Sequence, residues 1–531
     1  MKIALTGQQS LLGERIIQAF TGDHTIQLAS TGDLCQEEVC RQLLTDVAVL
    51  IHLAPLLPPA GTSAADHLDR VARGTYVLLQ QAVAAGVQRV ILGSSLDLFE
   101  RYPTSWAVAE TWAPRPDVDN VAQLAIYLAE ESCKQFARTE PLSIICLRFG
   151  AIVSDETTRE QPYDSRWLHV EDAVQAVRLA LSASLRPRTG ETAGGSAQGW
   201  WVFHIPGSST SSRFPLGGAG EESTLGYRPT ARWTEQASIV AKPAAAERAG
   251  DLALLAPQRR VASRPIRNVV IFGAGGPLAA AAARVLAPSY CLRLTDIRPL
   301  AAIAAEAKPQ SVGAPLPEVL PAPHEALEVD VTAWEQVQHA CRGMDAVVNC
   351  TVIRHDLVGA FRVNVIGAYH VMAAAVAAGI RRIVHTGPQL VTMDRPAGYW
   401  WDFGVPDDAP ARTGTWLYGH TKYLGQEIVR LFAEQYDLQV PVLLFSSFVD
   451  PVTVKPHIGG AHPMTVSWED AAQAVRCALE APELPSPCER FHILADLPHG
   501  KYTNVKAKRL LGWQPQDNLA HLWARRPDLE E

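Results

Sequence analysis

Along most of this chain, short apolar runs alternate with longer stretches whose apolar positions recur at helical spacing. A run that is apolar throughout predicts a strand buried on both faces, and the longer amphipathic stretches predict helices that cover it. In the C-terminal part the pattern predicts a strand over Asn268–Phe272 and a helix ending at Leu286. It then predicts strands over Leu292–Thr295, just before Asp330, and over Ala346–Asn349, followed by a helix. A strand over Arg382–His385, a long loop and a helix around Tyr418 complete the series. The chain begins Met1-Lys2-Ile3-Ala4-Leu5-Thr6-Gly7, directly as a strand, an opening that leaves no room for a leader peptide.

The same pattern is written twice. Val170-Glu171-Asp172-Ala173-Val174-Gln175-Ala176-Val177-Arg178 returns as Trp468-Glu469-Asp470-Ala471-Ala472-Gln473-Ala474-Val475-Arg476. Ala84-Ala85-Gly86-Val87-Gln88-Arg89-Val90 returns as Ala377-Ala378-Gly379-Ile380-Arg381-Arg382-Ile383, and Val49-Leu50-Ile51-His52 as Ala346-Val347-Val348-Asn349. The offset stays at roughly 295 residues, far longer than a solenoid repeat, so a whole domain has been duplicated. Residues 236–265, rich in Ala, Arg and Pro with weak periodicity, read as a linker between copies at 1–235 and 266–531. The expected architecture is α/β: two tandem Rossmann-type, doubly wound parallel sheets, each with a small C-terminal substrate subdomain.

Composition narrows the function classes. The 531 residues are 47% hydrophobic and 19% charged, with a net charge of -8, which gives no reason to expect nucleic acid or an anionic membrane as partner. Nine scattered cysteines without a CxxC suit reduced thiols and a cytoplasmic location, and no spacing suggests a metal site.

Two stretches carry chemistry. Gly273-Ala274-Gly275-Gly276-Pro277-Leu278-Ala279 joins a strand to a helix, where glycines let backbone approach a pyrophosphate at the positive helix end. Gly273 and Gly276 fill two of three such positions, and Ala279 fills the third, where close helix packing is required. Asp296, closing the second strand, can accept hydrogen bonds from a ribose diol and favours NAD, while neighbouring Arg298 keeps NADP open. Asp330 and Val331 follow at a fitting offset, and Asn349 and Cys350 end the fourth strand, where a small residue must pack against the cofactor. The second stretch is Tyr418-Gly419-His420-Thr421-Lys422. Tyrosine and lysine four apart share one helix face, and an ammonium beside a phenol favours the phenolate. Tyr502 and Lys506 repeat the spacing by chance.

With Asp330-Val331-Thr332, Val363-Asn364-Val365-Ile366-Gly367 and Val466–Val475, these stretches resemble the extended short-chain dehydrogenase/reductases, the NAD-dependent epimerase/dehydratase family. The resemblance covers nearly the whole second half. It implies that Tyr418 is the acid/base, that Lys422 lowers its pKa and holds the nicotinamide ribose, and that Asn364 supports the hydrogen-bond network. The family places a serine or threonine where Pro388 falls, so Thr386 or Thr392 is expected to substitute. In the first half Ser10 replaces the middle glycine, Gln123 and Tyr127 replace the tyrosine and lysine, and Val71 replaces Asn364, although Ser95 keeps the hydroxyl. Only about one strand, His24–Ser30, fits between the first helix and Gly32-Asp33-Leu34, so a βα unit is missing and this copy is expected to be non-catalytic.

In nucleotide-sugar enzymes of the family it resembles, a long segment grips the nucleotide; here that segment is only Val449–Met464, so a smaller substrate, or none, is expected. The loop Gly398-Tyr399-Trp400-Trp401-Asp402-Phe403 is either a stacking platform or an ordinary lid, and Asp407-Asp408 reads as a solvated turn. His385 and His52 read as core residues. The family's pairing mode implies an intrachain pseudo-dimer through helices near Ala122–Ala137 and Tyr418–Phe432, with a homo-oligomer also open. The expected function is an NAD(P)-dependent oxidoreductase or epimerase; the alternative is a dinucleotide-binding pseudoenzyme, a sensor or scaffold.

Overall fold

Each apolar run becomes a strand of parallel sheet. The structure, a computed structural model, describes all residues except 30–32, 59–60, 160, 162–163, 186–198, 208–211, 221–223, 231–258, 307–312, 390–402, 455–461, 499 and 523–531. Two units divide the chain, Met1–Ala256 and Pro257–Glu531. Most of the expected linker lies outside the described residues. Its last residues are tied to the second unit, where Arg264 pairs with Asp345 at 3.0 Å.

The first unit runs β1 (Lys2–Thr6), α1 (Leu11–Phe20), β2 (Thr25–Leu28), α2 (Glu37–Leu43), β3 (Val49–His52), α3 (Ala64–Ala84), β4 (Arg89–Ser95), α4 (Val121–Thr139) and β5 (Ser143–Phe149). It continues with the pair β6 (Ala151–Val153) and β7 (Trp167–His169), then α5 (Val170–Ser182) and β8 (Trp200–Ile205). The sheet order is β2-β1-β3-β4-β5-β8. Leu12, Ile16 and Phe20 form a buried stripe at intervals of four on α1, the spacing that turns one helix face to the sheet.

The second unit runs β9 (Asn268–Phe272), α6 (Pro277–Leu286), β10 (Cys291–Asp296), α7 (Leu300–Glu306), β11 (Glu325–Glu328), α8 (Trp334–Cys341) and β12 (Ala346–Asn349). A helical segment from Leu357 follows, widening at Phe361–Ile366 before α9 (Gly367–Ala377). After it come β13 (Arg382–Pro388), α10 (Leu417–Tyr436), β14 (Val440–Phe445), the pair β15 (Ser447–Val449) and β16 (Thr465–Ser467), α11 (Trp468–Glu480) and β17 (Cys488–His492). The order β11-β10-β9-β12-β13-β14-β17 is all parallel, with the chain reversing direction across the sheet between β9 and β12. That reversal opens the crevice in which doubly wound sheets bind ligands. By length and composition Leu357–Ala377 could cross a membrane, but 67% of its apolar window is buried inside the protein, as a core helix requires.

The units differ where the sequence predicts. Between β10 and α8 the second unit inserts α7 and the edge strand β11, whereas the first passes from β2 to α2 with neither among its described residues. Registers fix the equivalence of the remainder: β3 pairs with β4 from Val49↔Arg89, and β12 with β13 from Ala346↔Arg382.

Candidate active site

The turn after β9 is shaped by what each glycine must avoid. Gly273 has φ +78, and a Cβ there would stand 3.0 Å from the backbone of Cys350 and Thr351. Gly275, which sequence reasoning passed over, is pressed against Asp296: its N–H donates to Oδ2 at 2.8 Å, and a Cβ would meet that oxygen at 2.9 Å. Gly276 is different. It has φ -79, and a Cβ there would touch only the Gly273 carbonyl, at an ordinary 3.4 Å. Nothing in the protein itself demands a glycine at this position. Gly276 also caps α6 without a side-chain hydrogen bond, and Pro277 follows as the first helical residue. The first-turn N–H groups of Leu278 and Ala279 therefore have no partner within the helix, above a space left open by the missing Cβ. A pyrophosphate fits that cradle by charge and by room. Ala279 is fully buried in the alanine-rich face that lets α6 pack on α11, the close-packing role expected of it.

Of the other expected cofactor residues, Asp296 and Cys350 adjoin this turn. Asp296 presents its carboxylate at the end of β10, with Oδ1 also accepting the Ile297 N–H at 2.9 Å. Arg298 is exposed and paired with Glu306 at 2.7 Å. Asp330 accepts the Thr332 N–H at 2.8 Å, and Val331 is buried with its carbonyl on His370 Nδ1 at 3.0 Å. Asn349 accepts both the N–H and the hydroxyl of Thr351, the latter at 2.8 Å. The Cys350 thiol is pushed up to about 11 by burial, so it packs as a neutral group.

Thr351 joins the two motifs. Gly273 abuts its N–H from one side, and Lys422 donates to its carbonyl at 3.4 Å from the other. Lys422 is buried, and that burial lowers its pKa to about 8. Tyr418, one turn earlier on α10, is half-buried, and burial raises its pKa. The cation over the phenol ring is Arg354, whose guanidinium carbon lies 5.2 Å from the ring centroid and whose charge opposes the effect of burial. Lys422 is drawn instead to Thr351. Arg354 lies in the loop after β12, and no local pattern singles it out in the sequence.

Asn364 sits in the widened π turn Phe361–Ile366. Its Nδ2 donates to Ile353 O at 2.7 Å and to Thr421 Oγ1 at 2.9 Å, while its Oδ1 accepts the Ile353 N–H at 3.1 Å. The side chain therefore clamps the β12 loop to the Tyr418 helix. Such π turns often mark functional sites.

Other expectations fare differently. Pro388 ends β13 opposite Phe445, as Ser95 ends β4 opposite Phe149, so the proline does take the hydroxyl's place. Thr386 does not replace it: its hydroxyl is buried and donates to Asn349 O at 3.0 Å, holding strand ends together. Thr392 and the aromatic loop from Gly398 to Asp402 lie outside the described residues; Phe403 is 71% exposed. Asp407 is buried, not solvated, because the His492 N–H at the end of β17 needs an acceptor, and burial raises its carboxyl to about 6. His385 is buried, and that burial holds its pKa well below the usual histidine range, as a core residue should be.

The first unit caps the corresponding helix with a side chain of its own. Ser10 Oγ accepts the Gly13 N–H at 3.0 Å and donates to Gly7 O at 2.7 Å, so the helix-start donor is already used. Gln123, at the tyrosine's place, is spent on the Asp117 N–H and Glu100. Val71 lies in α3, which runs unbroken where the second unit widens. A cavity of about 390 Å³ lies beside Leu96 and Arg213.

A parallel doubly wound sheet with a glycine turn and a Tyr-x-x-x-Lys helix meeting at one strand end is a Rossmann-type arrangement. Residues 269–463 match the model of the NAD dependent epimerase/dehydratase family, and residues 12–109 that of the 3-beta hydroxysteroid dehydrogenase/isomerase family. The two matches fall one in each half of the chain, as tandem copies of one domain type would. No curated protein matches the chain. Among similar solved structures are uronate dehydrogenase from Agrobacterium tumefaciens (22% identity, 50% of this chain, 92% of that chain, TM-score 0.39) and glucuronic acid dehydrogenase from Chromohalobacter salexigens (21%, 49%, 87%, 0.39). A UDP-glucose 4-epimerase from Thermotoga maritima is similar at 15% identity over 48% of this chain and 96% of that chain, with TM-score 0.37.

Proposed function

We propose that the second half is an NAD-dependent oxidoreductase or epimerase acting on a carbonyl or hydroxyl of a small, sugar-like substrate. The observation that carries this reading is the convergence on Thr351: the cofactor turn at Gly273 and the catalytic helix through Lys422 meet at the same residue. Gly276 and the first turn of α6 would hold the pyrophosphate, and Asp296 would take the adenosine ribose diol and disfavour a 2′-phosphate. Lys422, buried and close to neutral pH in its titration, would hold the nicotinamide ribose. When bound, the nicotinamide supplies or accepts hydride. Tyr418 would take the proton of a substrate hydroxyl during oxidation and return it during reduction.

A second reading rests on Pro388. Without a donor at that position a developing oxyanion loses about 3 kcal/mol of stabilisation, which suits a dinucleotide-binding sensor or scaffold. Tyr418→Phe separates the two. The enzyme reading expects turnover of small sugar-like substrates to disappear while NAD binding stays; a sensor should be indifferent to the change. In either case the first half serves as a structural partner of the second, and a stable, active second half expressed alone would contradict that role.

A further inference from the structure

We propose that Arg354 is a positioning residue of the Tyr418 centre: it seats the phenol and is the cation that favours its ionised form. This rests on the reading of Tyr418 as the acid/base group. The guanidinium carbon lies 5.2 Å from the ring centroid of Tyr418, within cation–π range, and its charge opposes the upward pull of burial on the phenol. Trp416 packs edge-to-face on the same ring, with centroids 5.2 Å apart, so the ring has little freedom to leave the guanidinium.

The arrangement is held from behind. Ile353, the residue before Arg354, has both its N–H and its carbonyl bonded to Asn364, and Asn364 bonds Thr421 on the helix that carries Tyr418. One side chain thus fixes the loop bearing the cation against the helix bearing the phenol. It is also a second use of Asn364, beyond its place in the motif.

The charged groups around the phenol divide cleanly. Among the described residues, Arg354, from the loop after β12, acts on it directly. Lys422, on α10 itself, is turned to the Thr351 carbonyl and interacts with Cys350 and Arg354. His420, on the same helix, is buried and held neutral, its pKa lowered to about 4. A cation held beside a phenol stabilises the phenolate more than the neutral hydroxyl. Lys422 is thereby left free for a ribose.

The test uses the full chain with ζ-carbon-labelled tyrosine, the Tyr418 signal being identified by its loss in Tyr418→Phe. Arg354 is exposed, so Arg354→Gln should fold. We expect Arg354→Gln to move the titration of that signal to higher pH, and to lower kcat/KM roughly tenfold on the acid limb of the pH profile. Arg354→Lys should restore most of both. A Tyr418 titration unchanged in Arg354→Gln, or one moved by Lys422→Met alone, would overturn the assignment. Turnover that survives Tyr418→Phe would overturn the reaction reading, while a titration still moved by Arg354→Gln would support the pairing by itself.

Discussion

Gly425, two turns along α10 from Tyr418, lies so close to the carbonyl of Asn364 that a Cβ would be driven into that oxygen. The contact occurs where the neighbouring helix widens into its π turn, and it sets how near α10 comes to the β12 loop. Gly425→Ala must therefore push the helix away from Asn364. We expect a stability loss of about 1–3 kcal/mol, the usual cost of overpacking, and a loss of turnover at least as large. Thermal melts and activity read side by side check it; a variant with unchanged melting and turnover would show that the close approach does not matter.

Lys422 opposes stability in the service of the site. Its pKa falls from 10.5 to about 8 in the folded protein, so the folded state binds that proton more weakly than the unfolded chain does. The penalty is fully present below pH 8 and is relieved as pH rises toward 10.5. Lys422→Met should then melt above the parent protein at neutral pH, by a margin on the order of 3 kcal/mol, while losing turnover. The margin should shrink in alkaline buffer. A variant less stable than the parent at neutral pH would mean that the ammonium is paid for by contacts the fold depends on.

Pro388 offers a gain-of-function test. Serine at this position would restore the hydroxyl that Ser95 keeps in the first half. If the reaction lacks an oxyanion donor, Pro388→Ser should raise kcat/KM by up to about 100-fold, the equivalent of one recovered donor. An unchanged rate would place that donor elsewhere.

Much of this was legible in the sequence for identifiable reasons. Asn268–Phe272 lies between Arg267 and Gly273 and Ala346–Asn349 follows Asp345, and both strands fall where the pattern puts them. The duplicated segments show the shared topology, and the absent βα unit shows as missing length. Arg354 was not legible because its partner, Tyr418, is distant in sequence and only folding brings them together. The π turn at Asn364 departs from the 3.6-residue period that betrays ordinary helices. Asp407 looked like a surface turn because nothing local reveals the unpaired His492 N–H that it serves.

The proposed reading places one dinucleotide seat in the chain, at Gly276, whose counterpart turn in the first unit carries the Ser10 cap. Aspartate is tolerated sterically at 276 and is a favourable helix cap, so Gly276→Asp should fold at least as stably as the parent while filling the pyrophosphate's place. Native mass spectrometry of the full chain with added NAD tests this directly. We predict one dinucleotide per chain, lost in Gly276→Asp; none at all, or two per chain, would contradict it.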